Sequence, residues 1–167
     1  KKLKDLSKSQ PVSNNKIRIL DKVRIKPGKP VACVSLKIGK QPLSPKILPK
    51  YHEKIWFGLP GNPISCAACF RFFVYPLIRK GLGITNEKRF KAKLYGRYSK
   101  KPHFTHFLKC SVKFNNKGFY DLKILEGQQS NRIKSFVEAN CWGIFPENKK
   151  KFKSGDIIEW VPLIPSS

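Results

Sequence analysis

The chain has 167 residues, of which 40% are hydrophobic and 12% aromatic, so it can bury a core and is not a disordered tail. Its formal net charge is +25, and its five cysteines are an odd number that suits a reducing compartment. No apolar run approaches the roughly 20 residues that a membrane-spanning helix needs, and no secretory signal is evident. The sequence therefore predicts a cytoplasmic protein without a membrane partner. Because the chain has no methionine, even at position 1, we expect it to be a fragment, a processed product or the ordered part of something longer.

The high positive charge has two interpretations. It would attract phosphates and nucleic acids over long distances. However, most of the 35 cationic residues are lysines scattered along the chain. Base readout favours arginine forks, and single-strand binders place aromatic residues along a basic groove. The pattern therefore favours a solvated lysine-rich surface and disfavours a nucleic-acid partner, while a basic nucleic-acid-binding protein stays open as an alternative.

Strand-like patterns dominate the first part of the chain. The segments 16–25 and 31–38 are rich in β-branched and apolar residues, and 55–59 is a short apolar run bounded by turn residues. The prolines and lysines of 39–54 predict an exposed loop, and residues 1–8 predict the end of a helix.

A change of hydrophobic period predicts a helix over residues 63–80. Asn62 is a suitable N-cap, and Pro63 suits the first helical position. Glycines follow the helix and are natural stop signals. Pro76 lies inside the helix, where it lacks the N–H that would bond to the preceding turn, so we expect a bend near Phe72.

The second half of the chain predicts a small all-β module with alternating strands, a turn at 115–118 and a short helix over 131–139. Its predicted strands cover 89–95, 104–114, 120–124, 141–145 and 157–161. The patterns therefore predict an α/β segment followed by a small all-β module. We place the two domains at 1–86 and 87–167.

Two loops carry the pattern of an anion site, K-P-G-K-P at 26–30 and L-P-G-N-P-I-S at 59–65. A helix that starts in the second loop would present unpaired N–H groups and a partial positive charge, which together bind phosphates and other oxyanions. Gly61 would let the backbone approach a ligand, and the two prolines would stiffen the loop. Ser65 lies in the first helical turn, where its hydroxyl could reach an anion.

Lysines surround this predicted corner. Lys26 and Lys29 flank a Pro-Gly turn, and Lys22, four residues before Lys26, would point to the same face of a strand. Neither loop contains Asp or Glu. Each loop alone is an ordinary turn or helix cap, but together they predict a purely cationic oxyanion site.

Cys66 and Cys69 form a C-x-x-C pair that could indicate zinc, redox chemistry or core packing. A zinc site would need two more ligands at suitable spacing, and none is evident. Residues three apart share one face of a helix, where cysteine acts as a small apolar side chain. The pattern favours core packing.

Several motifs together resemble a known family. The K-P-G-K-P turn, F-G-L-P-G-N-P-I-S at 57–65, G-Q-Q-S at 127–130 and S-F-V-E-A-N at 135–140 occur in the order seen in the molybdopterin molybdenumtransferases, which include bacterial MoeA and the E domain of gephyrin. The resemblance covers about residues 1–165. It implies the C-terminal part of a molybdopterin-binding α/β domain followed by a β-barrel-like C-terminal domain.

The resemblance also implies an activity. Members of this family insert molybdate into adenylylated molybdopterin and release AMP, as homodimers assisted by Mg²⁺. The residues implied to hold or shape the oxyanion site are Lys22, Lys26, Lys29, Pro60, Gly61, Asn62, Pro63, Ser65 and Ser130. The acidic magnesium ligands would lie before Lys1, so no metal ligand or catalytic residue is assigned to this chain, and we expect no activity from it alone.

One motif departs from the family pattern. The arginine-rich R-x-x-F-x-R entry to the β module is replaced by Lys101, Phe104 and His106. His106 could contact an anion when protonated, or it could simply end the apolar face of its strand. A scaffold or interaction module of the same fold, like gephyrin, is the alternative to an enzyme.

Overall fold

A computed structural model of the chain describes residues 16–21, 23–38, 52–85, 87–129 and 132–165. Its strands, in chain order, are β1 (Lys16–Asp21), β2 (Ile25–Lys26), β3 (Ala32–Ile38), β4 (His52–Gly58), β5 (Phe90–Tyr95), β6 (Tyr98–Ser99), β7 (Thr105–Phe114), β8 (Tyr120–Ile124), β9 (Cys141–Phe145), β10 (Lys151–Phe152) and β11 (Ile157–Pro162). Its helices are α1 (Pro63–Cys69), α2 (Tyr75–Gly81) and α3 (Lys134–Val137), with a π-helical turn at Phe70–Val74 between the first two.

The chain divides into two compact units, one formed by residues 1–23 and 30–58 and the other by 24–29 and 59–167. This division assigns the 26–29 turn and the helices to the same unit as the β module. The predicted domain boundary after residue 86 stays a prediction about the organisation of the whole protein.

The first unit contains an antiparallel sheet of three strands in the order β1-β3-β4. The predicted strand at 16–25 is wrong in extent, because β1 ends at Asp21 while Ile25 pairs with Thr105 in the other unit. The predicted loop at 39–54 extends too far, because β4 already begins at His52. Backbone pairing between β3 and β4 continues as far as Ile38, which lies opposite His52. The predicted helix at 1–8 and most of the 39–54 loop lie outside the described residues.

The second unit is built around a closed barrel of five strands. The hydrogen-bonded neighbours run β7–β8, β8–β5, β5–β11, β11–β9 and back from β9 to β7. Inward-facing side chains such as Leu94, Leu108, Leu122 and Ile158 form the core. The β-barrel-like prediction is confirmed, and closure of the sheet removes the unpaired edges that an open sheet would leave.

Two short strand pairs escaped the sequence patterns. β2 lies parallel to the first residues of β7, with Ile25 opposite Thr105 and Lys26 opposite His106. β6 and β10 form a separate two-stranded ribbon. Segments of two residues carry no periodicity, so pattern reading could not detect them.

The helical segment packs on the outside of the barrel. The π-helical turn lies where Pro76 predicted an interruption, and the N–H of Tyr75 bonds to the carbonyl of Phe70 five residues earlier. The ring of Phe72 stacks on Phe107 of β7 at 3.7 Å between centroids. Arg71 is buried and its guanidinium contacts both carboxylate oxygens of Glu87 at 2.7 and 2.6 Å.

The predicted helix at 131–139 is shorter than expected, since α3 covers only Lys134–Val137. The carbonyl of Arg132 accepts hydrogen bonds from the side chains of Lys109 and Ser135 and not from a continuing helix. Within the described ranges, no helix combines the length and apolar character that crossing a bilayer requires.

Candidate oxyanion-binding corner

The two loops predicted to form the anion site lie against each other in the second unit. Gly28 has φ of +106°, and a Cβ atom added to it would overlap Sγ of Cys69 and lie 3.6 Å from the carbonyl oxygen of Ser65. The thiol of Cys69 donates to the carbonyl of Gly28 at 3.5 Å. The 26–29 turn therefore packs directly on the first two turns of α1, which requires glycine at this position.

The helix start is already capped, which corrects one part of the sequence argument. The side-chain oxygen of Asn62 accepts from the N–H groups of Ile64 at 3.2 Å and Ser65 at 3.5 Å, and the N–H of Cys66 bonds to the carbonyl of Asn62 at 2.8 Å. Pro63 has no N–H. The donors expected to be unpaired are thus occupied, because an asparagine that fits the N-cap takes them first. What the helix still offers an anion is its partial positive charge.

Replacing Asn62 with alanine should weaken the helix start. We expect a loss of about 1 kcal/mol in the free energy of unfolding, because two N–H groups lose their acceptor. Urea denaturation followed by circular dichroism measures this loss. Serine at position 62 is the matched control, since it can also cap and should restore most of the stability; an alanine variant as stable as the parent would contradict the capping role.

The cations of the corner face solvent. Lys26 and Lys29 are both exposed, and among the described residues neither has a carboxylate partner. The ammonium of Lys29 lies 5.9 Å from the centroid of the Phe104 ring. Lys100 differs because it is buried; its ammonium donates to the carbonyl of Phe104 at 2.8 Å, which places a second cation beside that residue.

The remaining loop residues differ in how well they are placed. Gly61 is exposed, and no atom lies within 4 Å of the position its Cβ would take, so a ligand could approach its backbone. Pro60 is half-buried and Pro63 exposed. Ser65 is only 7% exposed, so its hydroxyl is less open to a ligand than the sequence suggested. Lys22 and Ser130 lie outside the described residues, and their roles stay predictions.

His106 belongs to the strand core and not to the anion site. It is 7% exposed, and its Nδ1 lies 2.6 Å from the hydroxyl of Tyr98. Burial, together with the positive charges of Lys100 and Lys26, lowers the pKa of His106 to about 4. The imidazole is therefore neutral near pH 7 and cannot contribute a positive charge to the corner. This agrees with the second interpretation of His106, in which it ends the apolar face of its strand.

His106 should make the protein less stable in mild acid. Its pKa is about 4 in the folded chain and about 6.5 when unfolded. As the pH falls from 6.5 towards 4, His106 therefore binds a proton in the unfolded chain but stays neutral in the folded chain. We expect a loss of about 2–3 kcal/mol across this window.

The measurement is denaturant unfolding at pH 7, 5.5 and 4.5. His106→Gln should show a shallower decline than the parent, whereas His103→Asn, at an exposed histidine with φ of +73°, should keep the full decline. Parallel declines in the parent and in His106→Gln would contradict the assignment.

The C-x-x-C pair behaves as packing. Cys69 is fully buried, and burial beside Cys66 raises the pKa of the Cys69 thiol to about 11. A thiol that stays protonated is a poor nucleophile and a poor metal ligand. In the described part of the chain, no group of three His, Cys, Asp or Glu residues could hold a metal ion.

Sequence reasoning missed a buried lysine that orders the G-Q-Q-S segment. Lys109 is 1% exposed, and its ammonium donates to the carbonyls of Gly127, Gln129 and Arg132 at 2.7, 3.2 and 3.0 Å. Burial lowers the pKa of Lys109. Gln128 bonds to both backbone groups of Lys109, so the segment is fixed along β7. The available signal was a lysine inside a run of otherwise apolar strand residues.

Side-chain hydrogen bonds to the backbone also fix the S-F-V-E-A-N motif at 135–140. The side chain of Asn140 accepts from the N–H of Val112 at 2.8 Å and donates to its carbonyl at 2.9 Å. Ser135 donates to the carbonyl of Gly127 at 2.8 Å. The residues of G-Q-Q-S and S-F-V-E-A-N that the structure describes therefore attach one loop to β7.

The arrangement suits binding of an oxyanion by exposed cations and a helix start. Neither loop contributes a carboxylate for acid–base chemistry, and the described residues do not fit a magnesium site.

Comparison with known proteins agrees with this fold. Residues 91–163 match the MoeA C-terminal region (domain IV). The chain is 27% identical over 157 residues to a molybdopterin molybdenumtransferase of Haemophilus influenzae, covering 85% of this chain and 32% of that protein. It is 26% identical over 118 residues to gephyrin of Dictyostelium discoideum, covering 65% of this chain and 16% of the relative. A MoeA structure from Pyrococcus horikoshii has the same fold, with a TM-score of 0.62 at 20% identity, over 86% of this chain and 31% of the other.

Residues 91–163 are thus similar to domain IV of MoeA, and the matched relatives extend the similarity over most of the chain. The chain spans about a third of the length of the transferases that it matches.

Proposed function

We propose that this chain is of the MoeA type and acts in molybdenum cofactor biosynthesis as the C-terminal part of a molybdopterin molybdenumtransferase. The observation that carries the proposal is the corner itself. The K-P-G-K turn packs on α1 through Gly28, which contacts Cys69, and neither Lys26 nor Lys29 has a carboxylate partner in the described residues. The substrates would be molybdate and adenylylated molybdopterin, which both carry tetrahedral oxyanions.

In this proposal the lysines act by electrostatics. Cations already fixed in position stabilise negative charge as it shifts between a phosphate and its leaving group. Lys22 would join Lys26 and Lys29 in holding the oxyanions, the loop at 60–65 would shape the pocket, and Ser130 would close it. Residues outside this sequence would bind Mg²⁺, and the whole protein would work in the cytoplasm as a homodimer. We expect no molybdenum insertion by this chain alone, and clear turnover by it would contradict that expectation.

Oxyanion binding provides the test. Equilibrium dialysis against molybdate compares the parent with Lys26→Gln/Lys29→Gln and with a control, Lys117→Gln/Lys123→Gln, which removes the same charge from exposed positions elsewhere. We expect at least tenfold weaker binding by the first variant and less than a twofold change in the control, a difference of roughly 1 kcal/mol or more. Equal weakening in both would show general charge attraction and contradict the proposal.

A further inference from the structure

A second cationic cavity, separate in its residues from the corner, opens beside the ribbon of β6 and β10. Its volume is about 750 Å³, and it is lined by residues 97–99 and 151–154. That volume lies in the range of small-molecule sites, roughly 300–1,000 Å³.

Backbone pairing fixes the two segments that line this cavity. Lys151 lies opposite Ser99 and Phe152 opposite Tyr98 in the ribbon. The ring of Phe152 is buried against Phe145 and Tyr98 in the end of the barrel. The cations of the ribbon therefore project from strands anchored in the core and not from a free loop.

The cavity concentrates positive charge, which among the described residues is offset only in part, by the carboxylate of Asp156 near Lys153. Arg97, Lys151 and Lys153 line it, and none of their side chains has a hydrogen-bond or ion-pair partner among those residues. The nearby carboxylate of Asp156 is already engaged, by the ammonium of Lys149 at 2.7 Å and the N–H of Lys153 at 2.8 Å. The lining also includes the serines at positions 99 and 154, whose hydroxyls can donate to an anion.

Two smaller cavities have a different lining. A cavity of about 380 Å³ contains Glu126 and Glu138 beside its cations. Another, of about 270 Å³, contains Glu87, which is paired with Arg71. The cavity at β6 and β10 differs from these two because its lining contains no carboxylate.

We infer that the cavity at β6 and β10 binds a phosphorylated small molecule with at least two phosphate groups and about the size of a nucleotide. Three unpaired cations exceed what a single monoanion would need, and a guanidinium can hold phosphate oxygens in pairs. A compact ligand is favoured over an extended polymer because the cations converge on one cavity and do not form a track. The inference does not depend on the proposed function.

The test is calorimetric titration of the full chain with pyrophosphate and with ADP at physiological salt. Arg97→Gln/Lys151→Gln/Lys153→Gln is compared with Lys113→Gln/Lys117→Gln/Lys123→Gln, which removes the same three charges from exposed positions outside the cavity. We expect at least tenfold weaker binding in the cavity variant and less than a twofold change in the control. All variants carry Lys26→Gln/Lys29→Gln as a common background, because the corner would itself bind phosphates, so that the titration measures the cavity alone.

Three results would overturn the inference. The first is equal weakening in both triple variants, which would indicate general charge attraction. The second is absence of binding by both probes. The third is tighter binding of an oligoglutamate peptide or a single-stranded oligonucleotide than of ADP, lost in the cavity variant, which would assign the surface to a macromolecule. Circular dichroism and melting temperature establish that each variant is folded before titration.

Discussion

Replacing Glu87 with alanine is expected to lower the free energy of unfolding by about 3–5 kcal/mol, because it leaves a buried guanidinium without its counter-ion. The side chains of Arg71 and Glu87 are 7% and 13% exposed, and the contact is 2.6 Å. Arg71 also donates to the carbonyl of Pro162, so the pair joins the helix to the last strand of the barrel. Such a loss is a large share of the stability of an ordinary domain. Guanidinium denaturation measures it.

The matched control is the exposed pair between Arg89 and Glu159, whose side chains are 57% and 46% exposed. Glu159→Ala should cost less than about 1 kcal/mol, since solvent already screens this contact. If Glu87→Ala cost no more than Glu159→Ala, the buried pair would not hold the helix to the barrel. The double variant Arg71→Met/Glu87→Leu should recover much of the loss, because it removes both charges together.

Replacing Gly28 with alanine should damage the corner directly. The backbone conformation there, with φ of +106°, would cost a side chain about 1–3 kcal/mol. Overlap of the new methyl group with Cys69 would add a similar amount by overpacking. We expect a total loss of about 2–5 kcal/mol in the free energy of unfolding, together with weaker molybdate binding. Denaturation and equilibrium dialysis of the same variant measure both.

Gly61 provides the comparison within the same corner. Its Cβ position is open and its φ is not in the left-handed region, so Gly61→Ala should change stability by less than about 1 kcal/mol. The double variant Gly28→Ala/Cys69→Ala should recover only the packing part of the loss. A Gly28→Ala protein as stable as the parent would show that the turn does not depend on close contact with α1.

Alternation was sufficient to predict the barrel strands but not their surroundings. In β7 the alternate residues Leu108 and Cys110 face the core as expected. Phe107 and Lys109, on the other face, are buried as well, because Phe72 stacks on Phe107 and the backbone of Gly127 and Gln129 bonds to the ammonium of Lys109. A period of two identifies which residues share a face, but it contains no information about what covers that face.

The corner was predictable in its contacts and not in its hydrogen bonds. Both loops could be identified in the sequence from their prolines and glycines and from the predicted start of a helix. In the structure, the two loops pack together at Gly28. The first N–H groups of α1 were expected to be unpaired, whereas the side-chain oxygen of Asn62 accepts hydrogen bonds from two of them. The same residue that marks a helix start also satisfies it, so a good N-cap predicts a helix better than it predicts a free anion site.

Long-range placement escaped prediction for a different reason. The cavity at β6 and β10 arises because Ser99 and Lys151 pair across 52 positions of sequence. Scattered lysines were interpreted as a solvated surface, which is correct for many of them. Only the pairing shows that Lys151 and Lys153 meet Arg97 around one cavity.

The most direct test of the central claim is a crystal structure of this chain soaked in tungstate, whose anomalous scattering reports the position of the bound oxyanion. Binding at the corner predicts a peak within contact distance of the ammonium groups of Lys26 and Lys29, beside the start of α1 and Ser65. The peak should disappear from crystals of Lys26→Gln/Lys29→Gln. A corner without a peak at high tungstate concentration, with Lys26 and Lys29 ordered and free of lattice contacts, would contradict the account.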